Sequence, residues 1–282
     1  MLKFALLAAS AAVLAVPAAA QDETAPARPF EGFYVGGTFG LDSSSTDDSE
    51  GLEFDTNRDG TFGETVRAGA NNAFSPGSCG GTANGVRPAA GCVDDNDDYA
   101  YSVRIGYDTR LGDNGIFVAG ILAEATKHES QDSVSAFSTT PASYTVVRGL
   151  DHSFAARGRL GISPGSDARG LFYVTGGVAY GKLEHAFLTS NTANTFTQVN
   201  DDDYQLGGQV GGGAELYILP NVSIGLEYLY NSFEDEDYYV EVGRGTALAT
   251  NPFLVNGGGT FLRGAEQNFD FHTFKVGVNF RF

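Results

Sequence analysis

The segment FHTFKVGVNFRF, which runs to Phe282, alternates strictly between two kinds of residue. Phe274, Val276, Val278, Phe280 and Phe282 share one parity, while Thr273, Lys275, Gly277, Asn279 and Arg281 share the other. Successive side chains of a strand point to opposite faces, so the segment has one apolar face and one polar face. A soluble sandwich strand can alternate in the same way, but a free carboxyl end usually frays, and here it carries a bulky aromatic. A closed membrane barrel requires this arrangement: lipid on one side, a polar lumen on the other, aromatic residues at the interfaces. The expected fold class is therefore all-β, an antiparallel up-and-down transmembrane barrel.

The other end of the chain agrees. Residues 1–20 read MLKFALLAASAAVLAVPAAA, with Lys3 as a short positive region, an apolar run from Phe4 to Val16 and small residues Ala18, Ala19 and Ala20 before Gln21. This is the pattern of an export signal cleaved after Ala20. Its apolar run is too short for a hydrocarbon layer of ~30 Å, and no later segment has the ~18 consecutive apolar residues of a membrane helix. If the chain crosses a membrane, it does so as a closed barrel, because only that arrangement pairs every backbone group of a sheet. The expected domains are a signal peptide, 1–20, and one barrel, 21–282.

The formal charge of −18 argues against a nucleic-acid partner, which needs a basic face. The acidity is local. Twelve acidic residues lie between Asp42 and Asp98 against Arg58, Arg67 and Arg87, and the runs DDD at 201–203 and EDED at 234–237 add more. Such runs read as solvated loops. On a bacterial surface they would also attract divalent cations that bridge lipopolysaccharide. Cys79 and Cys92 are the two cysteines of the chain. In an exported protein they are expected to form a disulfide, worth about 3 kcal/mol for a loop of this size in the chain-entropy view.

Alternating segments separate from turns along the chain. Strands are expected at GFYVGGTFGL from Gly32, YAYSVRIGYDTRL from Tyr99, GIFVAGILAEATKHE, LDHSFAARGRLGI, LFYVTGGVAYGKLEHAFL, DYQLGGQVGGGAELYIL, VSIGLEYLYNSFEDEDYYVEV and the terminal segment. Short turns at 112–114, 163–169 and 220–221 alternate with long connections at about 44–98, 133–143, 189–202 and 244–267. Bacterial barrels place short turns in the periplasm and long loops outside. GLEFDTNRDGTFGETVRA, in the first long connection, leaves two outcomes open: a separate hairpin above the membrane, or two further strands for a total of ten.

GFYVGG near the start, SIGLEYLY in the seventh strand and FKVGVNFRF at the end, in that order, resemble the OmpA-like and opacity-protein-like outer-membrane barrels. The resemblance implies eight strands, an outer-membrane location in an envelope with a lipopolysaccharide layer, contact with outer-membrane lipid, and a terminal strand read by the barrel-assembly machinery. That assembly signal would be Phe274, Val276, Val278, Phe280 and Phe282. The chain holds no peptidoglycan-binding domain after the barrel, so the resemblance implies no cell-wall tether.

Parity also assigns the lumen. Tyr101, Val103, Ile105 and Tyr107 face lipid, so Arg104 points in; Phe117, Ala119, Ile121 and Ala123 face out, so Glu124 points in; Phe154, Ala156, Leu160 and Ile162 leave Arg157 and Arg159 inside. Glu215, Glu227 and Lys275 complete the expected lumen charges, with Arg281 near the periplasmic end. An eight-stranded interior is just wide enough for side chains to fill, and buried charges persist only when paired. The expected interior is a salt-bridged plug; the alternative is the narrow pore of a small-solute porin.

Two weaker signals remain. DTNRDG at 55–60 places Asp55, Asn57, Asp59 and Gly60 as in the opening of a calcium loop, but position twelve is Val66 instead of Glu. The preferred reading is an Asx-rich turn, with no metal site assigned. His128, His152, His185 and His272 fall near expected extracellular strand ends. His152 and Ser153 are adjacent and face opposite sides, and the sequence offers no complete nucleophile, base and orienter. The expectation is a monomeric, non-enzymatic surface barrel without a cofactor, serving envelope integrity and surface interactions. A rim enzyme and an adhesin are the further alternatives.

Overall fold

The structure is a computed structural model and describes residues 29–44, 51–95, 98–112, 115–165 and 168–282. The export signal at 1–20 lies outside the described residues.

The alternating segments form a ring. Its strands are β1 (Gly32–Ser44), β2 (Asp98–Leu111), β3 (Phe117–His128), β4 (Ala142–Ile162), β5 (Gly170–Thr189), β6 (Asp202–Leu219), β7 (Val222–Glu234) and β8 (Asn268–Arg281). Each pairs antiparallel with its neighbour in the chain, and β8 pairs with β1 from Tyr34↔Arg281 to Ser44↔Phe271. The closed ladder leaves no edge to lipid. The ring has eight strands, not ten: Leu52–Asp55 pairs with Thr260–Gly264 outside it.

The outer face matches the parity of the sequence. Val103, Ile105, Ile121, Leu160, Val174, Val210, Leu226 and Val276 are exposed. Aromatic pairs flank this apolar band: Phe33 meets Tyr107 at 4.9 Å near the short turns, and Tyr180 stacks on Tyr204 at 5.1 Å towards the other end. Rings at these two levels form the interfacial girdles of a membrane barrel.

The upper part of the molecule departs from the expectation of long loops. β4 has 21 residues and β5 has 20, twice the roughly 9–11 that cross a bilayer. Both continue outward past a bulge at Asp151. There Gln131–Ser138 pairs with β4, and Gly77–Gly80 pairs with Gln131–Ser138. A second sheet of Thr195–Val199, Tyr239–Gly243, Thr260–Gly264 and Leu52–Asp55 covers this extension. Phe54, Val66, Val134, Tyr144, Val146, Tyr238, Val240, Val242, Phe253 and Leu262 pack between them as one core. The segments at 133–143, 189–202 and 244–267 are thus largely folded into a β-sandwich cap. The expected seventh strand is also broken: Asp235–Tyr238 interrupts it, and Tyr239–Gly243 crosses into the second sheet. At this corner Glu234, Glu236 and Asp237 are exposed, while Asp235 turns inward and pairs with His185 at 2.9 Å.

Cys79 and Cys92 form a disulfide, with Cα atoms 6.4 Å apart. It ties Gly77–Gly80, the edge of the extended sheet, to the short strand Cys92–Val93. Cys92→Ser is expected to loosen the cap by about 2–4 kcal/mol and to leave the barrel folded, since neither cysteine touches the ring. Proteolysis of the purified protein should clip between 56 and 95 in the variant and leave a heat-modifiable barrel. Loss of that barrel would show that cap and ring fold as one unit.

Candidate functional site

The barrel interior has three storeys, built by inward side chains of every strand. At the end with the short turns, Phe30 enters the mouth and meets Tyr217 edge-on at 4.9 Å, within a cluster of Val118, Leu171 and Tyr173. The Arg281 guanidinium lies 5.5 Å from the Phe30 ring centre and 4.7 Å from that of Tyr34. Arg110 Nε donates to Pro29 O at 2.7 Å and fixes the entering chain.

The middle storey holds the charges. Arg104, Glu124, Arg157, Arg159, Glu215, Glu227 and Lys275 all lie inside the barrel and are almost fully buried. Lys275 Nζ donates to Glu124 Oε1 at 2.6 Å, and Arg157 lies 3.2 Å from Glu124 and 3.0 Å from Glu227. Arg104 faces Glu227 at 3.7 Å and donates to Asn279 Oδ1 at 2.9 Å. Tyr173 donates its hydroxyl to Glu227 at 2.8 Å. A second group lies nearer the short turns: Arg159 pairs with Glu215 at 3.1 Å, Arg281 pairs with Asp108 at 2.7 Å, and Arg159 Nε donates to Asp108 Oδ1 at 2.7 Å. Asp108 was absent from the sequence-derived set. Its parity with Arg104 on β2 was the available signal.

Glycines make room for this network. A Cβ at Gly106 would lie 2.3 Å from Tyr34 Cζ, and one at Gly120 would lie 2.0 Å from Asp108 Oδ1. Large inward side chains therefore face positions that carry none, which lets a narrow ring hold long charged groups.

The third storey brings together residues that the sequence kept apart. His128 Nδ1 is 2.6 Å from Asp42 Oδ2, and His128 Nε2 is 2.9 Å from Ser153 Oγ. Thr273 donates to Asp42 Oδ1 at 2.6 Å. The imidazole thus bridges the Asp42 carboxyl and the Ser153 hydroxyl through its two ring nitrogens. The sequence reading found no complete nucleophile, base and orienter; these residues from β1, β3 and β4 have that connectivity. Their surroundings do not suit catalysis. Ser153 is 1% exposed, and Phe271 packs edge-on against His128 at 5.6 Å. Leu150, Leu183, Phe233 and Phe269 join Phe271 in an apolar roof. Backbone groups around Ser153 lie in ladders with β3 and β5, where they offer no oxyanion donors. The chain of bonds straps β1, β3, β4 and β8 together across the lumen.

The other histidines serve the rim and cap. His152 bonds Asp151 at 2.7 Å and Tyr204 at 2.9 Å, His272 bonds Tyr228 at 2.8 Å, and His185 stacks on Tyr238 at 4.1 Å beside Asp235.

In the cap, DTNRDG forms a closed Asx turn. Asp55 Oδ1 accepts from the backbone of Arg58 at 2.6 Å and Asp59 at 3.2 Å, and Oδ2 accepts from Gly60 at 2.8 Å. Glu64 Oε2 accepts from Thr56 N and Thr56 Oγ1, both at 2.7 Å. Hydrogen bonds to Thr61 and Asn57 hold the exposed Asp59 carboxyl below its usual range. Elsewhere in the cap, burial pushes the phenols of Tyr144 and Tyr238 upward, so both stay neutral. Burial also raises the Asp95 carboxyl, although Ser133 binds it through its backbone N–H at 2.7 Å and its hydroxyl at 2.8 Å.

A lipid-facing band, interfacial aromatic rings, a closed ring of eight strands and a filled interior define an outer-membrane β-barrel. The chain belongs to the outer membrane protein beta-barrel domain family, whose model matches residues 6–282. It is similar to the 31 kDa outer-membrane immunogenic protein of Brucella melitensis, 29% identical over 180 residues that cover 64% of this chain and 65% of that protein. The same protein of Brucella suis matches equally. The chain thus spans about two thirds of the length of these curated relatives. Among solved structures it is similar to the outer membrane protein OprG of Pseudomonas aeruginosa, with 11% identity, a TM-score of 0.44, and coverage of 90% of this chain and 98% of that one. It is also similar to Neisserial surface protein A, with 12% identity, a TM-score of 0.39 and coverage of 89% and 98%. The protein resides in the outer membrane.

Proposed function

We propose that this protein is a sealed, non-enzymatic scaffold that anchors a folded cap on the cell surface and contributes to envelope integrity and surface interactions. The observation that supports this most is the continuity of the filling: Phe30 in the mouth, paired charges in the middle, and the Phe233, Phe269 and Phe271 roof above. A small-solute porin would need a wet path through these three storeys. Export cleaved after Ala20, insertion through the barrel-assembly machinery, a monomeric state, and contact with lipid and lipopolysaccharide belong to the same proposal. The exposed carboxylates of 201–203 and of Glu234, Glu236 and Asp237 would meet lipopolysaccharide phosphates through divalent cations.

Planar-bilayer recording of the refolded protein tests the scaffold reading. The expected result is conductance near the lipid baseline. A large, steady conductance would move the assignment to a porin.

A further inference from the structure

The outermost part of the cap contains a pocket that nothing in the barrel explains. Tyr144 lies near the outer end of β4, eighteen residues before Ile162. At about 3.3 Å per residue and the ~45° tilt of barrel strands, that is roughly 40 Å along the membrane normal, against a hydrocarbon layer of ~30 Å. Around it converge the turn 138–142, the turn 190–193, the loop 251–253 and the segment 66–74, enclosing about 260 Å³.

Its floor is aromatic. Phe74 lies 5.2 Å from Tyr144 and 5.9 Å from Phe253, ring centre to ring centre, and Tyr144 lies 5.7 Å from Phe253. Tyr144 and Phe253 are buried, and the half-buried Phe74 is the ring that reaches solvent. Its rim is hydroxyl and amide: Thr139, Thr140 and Thr192 are exposed, and Asn191 and Asn251 are half-buried. The rim is also pre-set. Asn191 Nδ2 donates to the Tyr144 hydroxyl at 3.0 Å and to Asn194 Oδ1 at 3.1 Å, and Asn251 Nδ2 donates to the same Asn194 oxygen at 3.1 Å. Among the described residues no Asp, Glu, Lys or Arg lines the pocket, in a chain of charge −18.

These features select a class of ligand. An ion desolvated here would meet no opposite charge. A hydrocarbon chain would leave the rim hydroxyls of Thr139, Thr140 and Thr192 without a partner. The volume lies below the ~300–1,000 Å³ of pockets for larger small molecules. A single sugar ring has an apolar C–H face for the floor and a hydroxyl edge for the rim.

We infer that this pocket binds one neutral sugar residue of a surface glycan, with Phe74 under the ring and Thr140 and Thr192 at its edge. The inference rests on the outward orientation of the cap in the proposed function. The glycan could belong to the bacterial envelope or to an animal cell, and the sugar chemistry is common to both.

Saturation-transfer NMR on the protein in nanodiscs tests it, using methyl glycosides of glucose, galactose, mannose and N-acetylglucosamine, with methyl sialoside as an anionic control. At least one neutral glycoside is expected to receive saturation and the sialoside none. Phe74→Ala should weaken that binding by roughly tenfold, as loss of a ring contact would. Because Phe74 also packs into the cap core, Thr192→Trp serves as a second variant: it alters only an exposed rim position and should abolish the signal by filling the entrance. An array carrying both neutral bacterial polysaccharides and neutral animal glycans then assigns the source. Absence of signal from every neutral glycoside, equal signal from the sialoside, or full signal from Thr192→Trp would overturn the inference. Thr192→Cys labelled on intact cells by a membrane-impermeant maleimide tests the orientation separately. Labelling without sugar binding defeats the sugar inference alone, whereas no labelling defeats the outward cap and the inference with it.

Discussion

Glu227→Ala is expected to destabilise the barrel by about 3–5 kcal/mol, the usual effect of removing one member of a dry, buried ion pair. Glu227 accepts from Arg157 at 3.0 Å and from Tyr173 at 2.8 Å, and faces Arg104 at 3.7 Å. Arg157 would retain Glu124 at 3.2 Å. Arg104 would keep only its bond to Asn279 among the contacts described for its side chain, and its charge would lose its nearest carboxylate. Urea unfolding in lipid vesicles, followed by heat-modifiable mobility, measures the loss. Asp202→Ala is the comparison, because its partner Lys182 lies at the surface, where ion pairs contribute roughly 0–1 kcal/mol. The same Glu227→Ala variant should raise conductance slightly from near zero. If it is no less stable than Asp202→Ala and alters only ion selectivity, the interior is hydrated and the plug reading fails.

The second large effect concerns assembly. Val278 and Phe280 project from β8 into the lipid-facing band, paired with Gly37 and Val35 on one side and Ile224 and Val222 on the other. Changing both to Asp places charge in hydrocarbon, at up to a few kcal/mol each depending on depth. The larger consequence follows from position. β8 closes the ring, so a β8 that cannot dock leaves the edges of β1 and β7 unpaired in lipid. The double variant should accumulate in the periplasm, with little heat-modifiable protein in outer-membrane fractions. Deletion of Phe282 removes the N–H that donates to Phe33 O at 3.0 Å and should act in the same direction. Normal levels of folded barrel from either variant would contradict this account of insertion.

Much of the ring could be read without coordinates. A period of two is a local property, so Val103 and Ile105 announce lipid and Arg104 the lumen wherever the strand lies. Closure follows from the same alternation, because an unpaired edge is not tolerated in hydrocarbon. The order of short and long connections pointed to eight ring strands and left ten open, and one pair of cysteines left one partner for each. None of this required knowing which residues touch.

Partnership in the lumen is different in kind. Which carboxylate meets Arg157, or that His128 reaches both Asp42 and Ser153, depends on the stagger between strands and on the narrowness of the ring. Asp42 and Ser153 lie on β1 and β4, joined through a residue of β3. Their meeting is set by register, which a one-residue slip would reverse. The cap lies furthest from local reading. Leu52–Asp55 and Thr260–Gly264 are short, polar-flanked segments that pair across two hundred residues, and they are strands because Phe54 and Leu262 share a core with Val146 and Val240. Alternation along the chain was thus enough to specify a membrane barrel with a charged interior. The pairing of those charges, and the folding of its long connections into a cap, came from contacts between distant segments that no local period encodes.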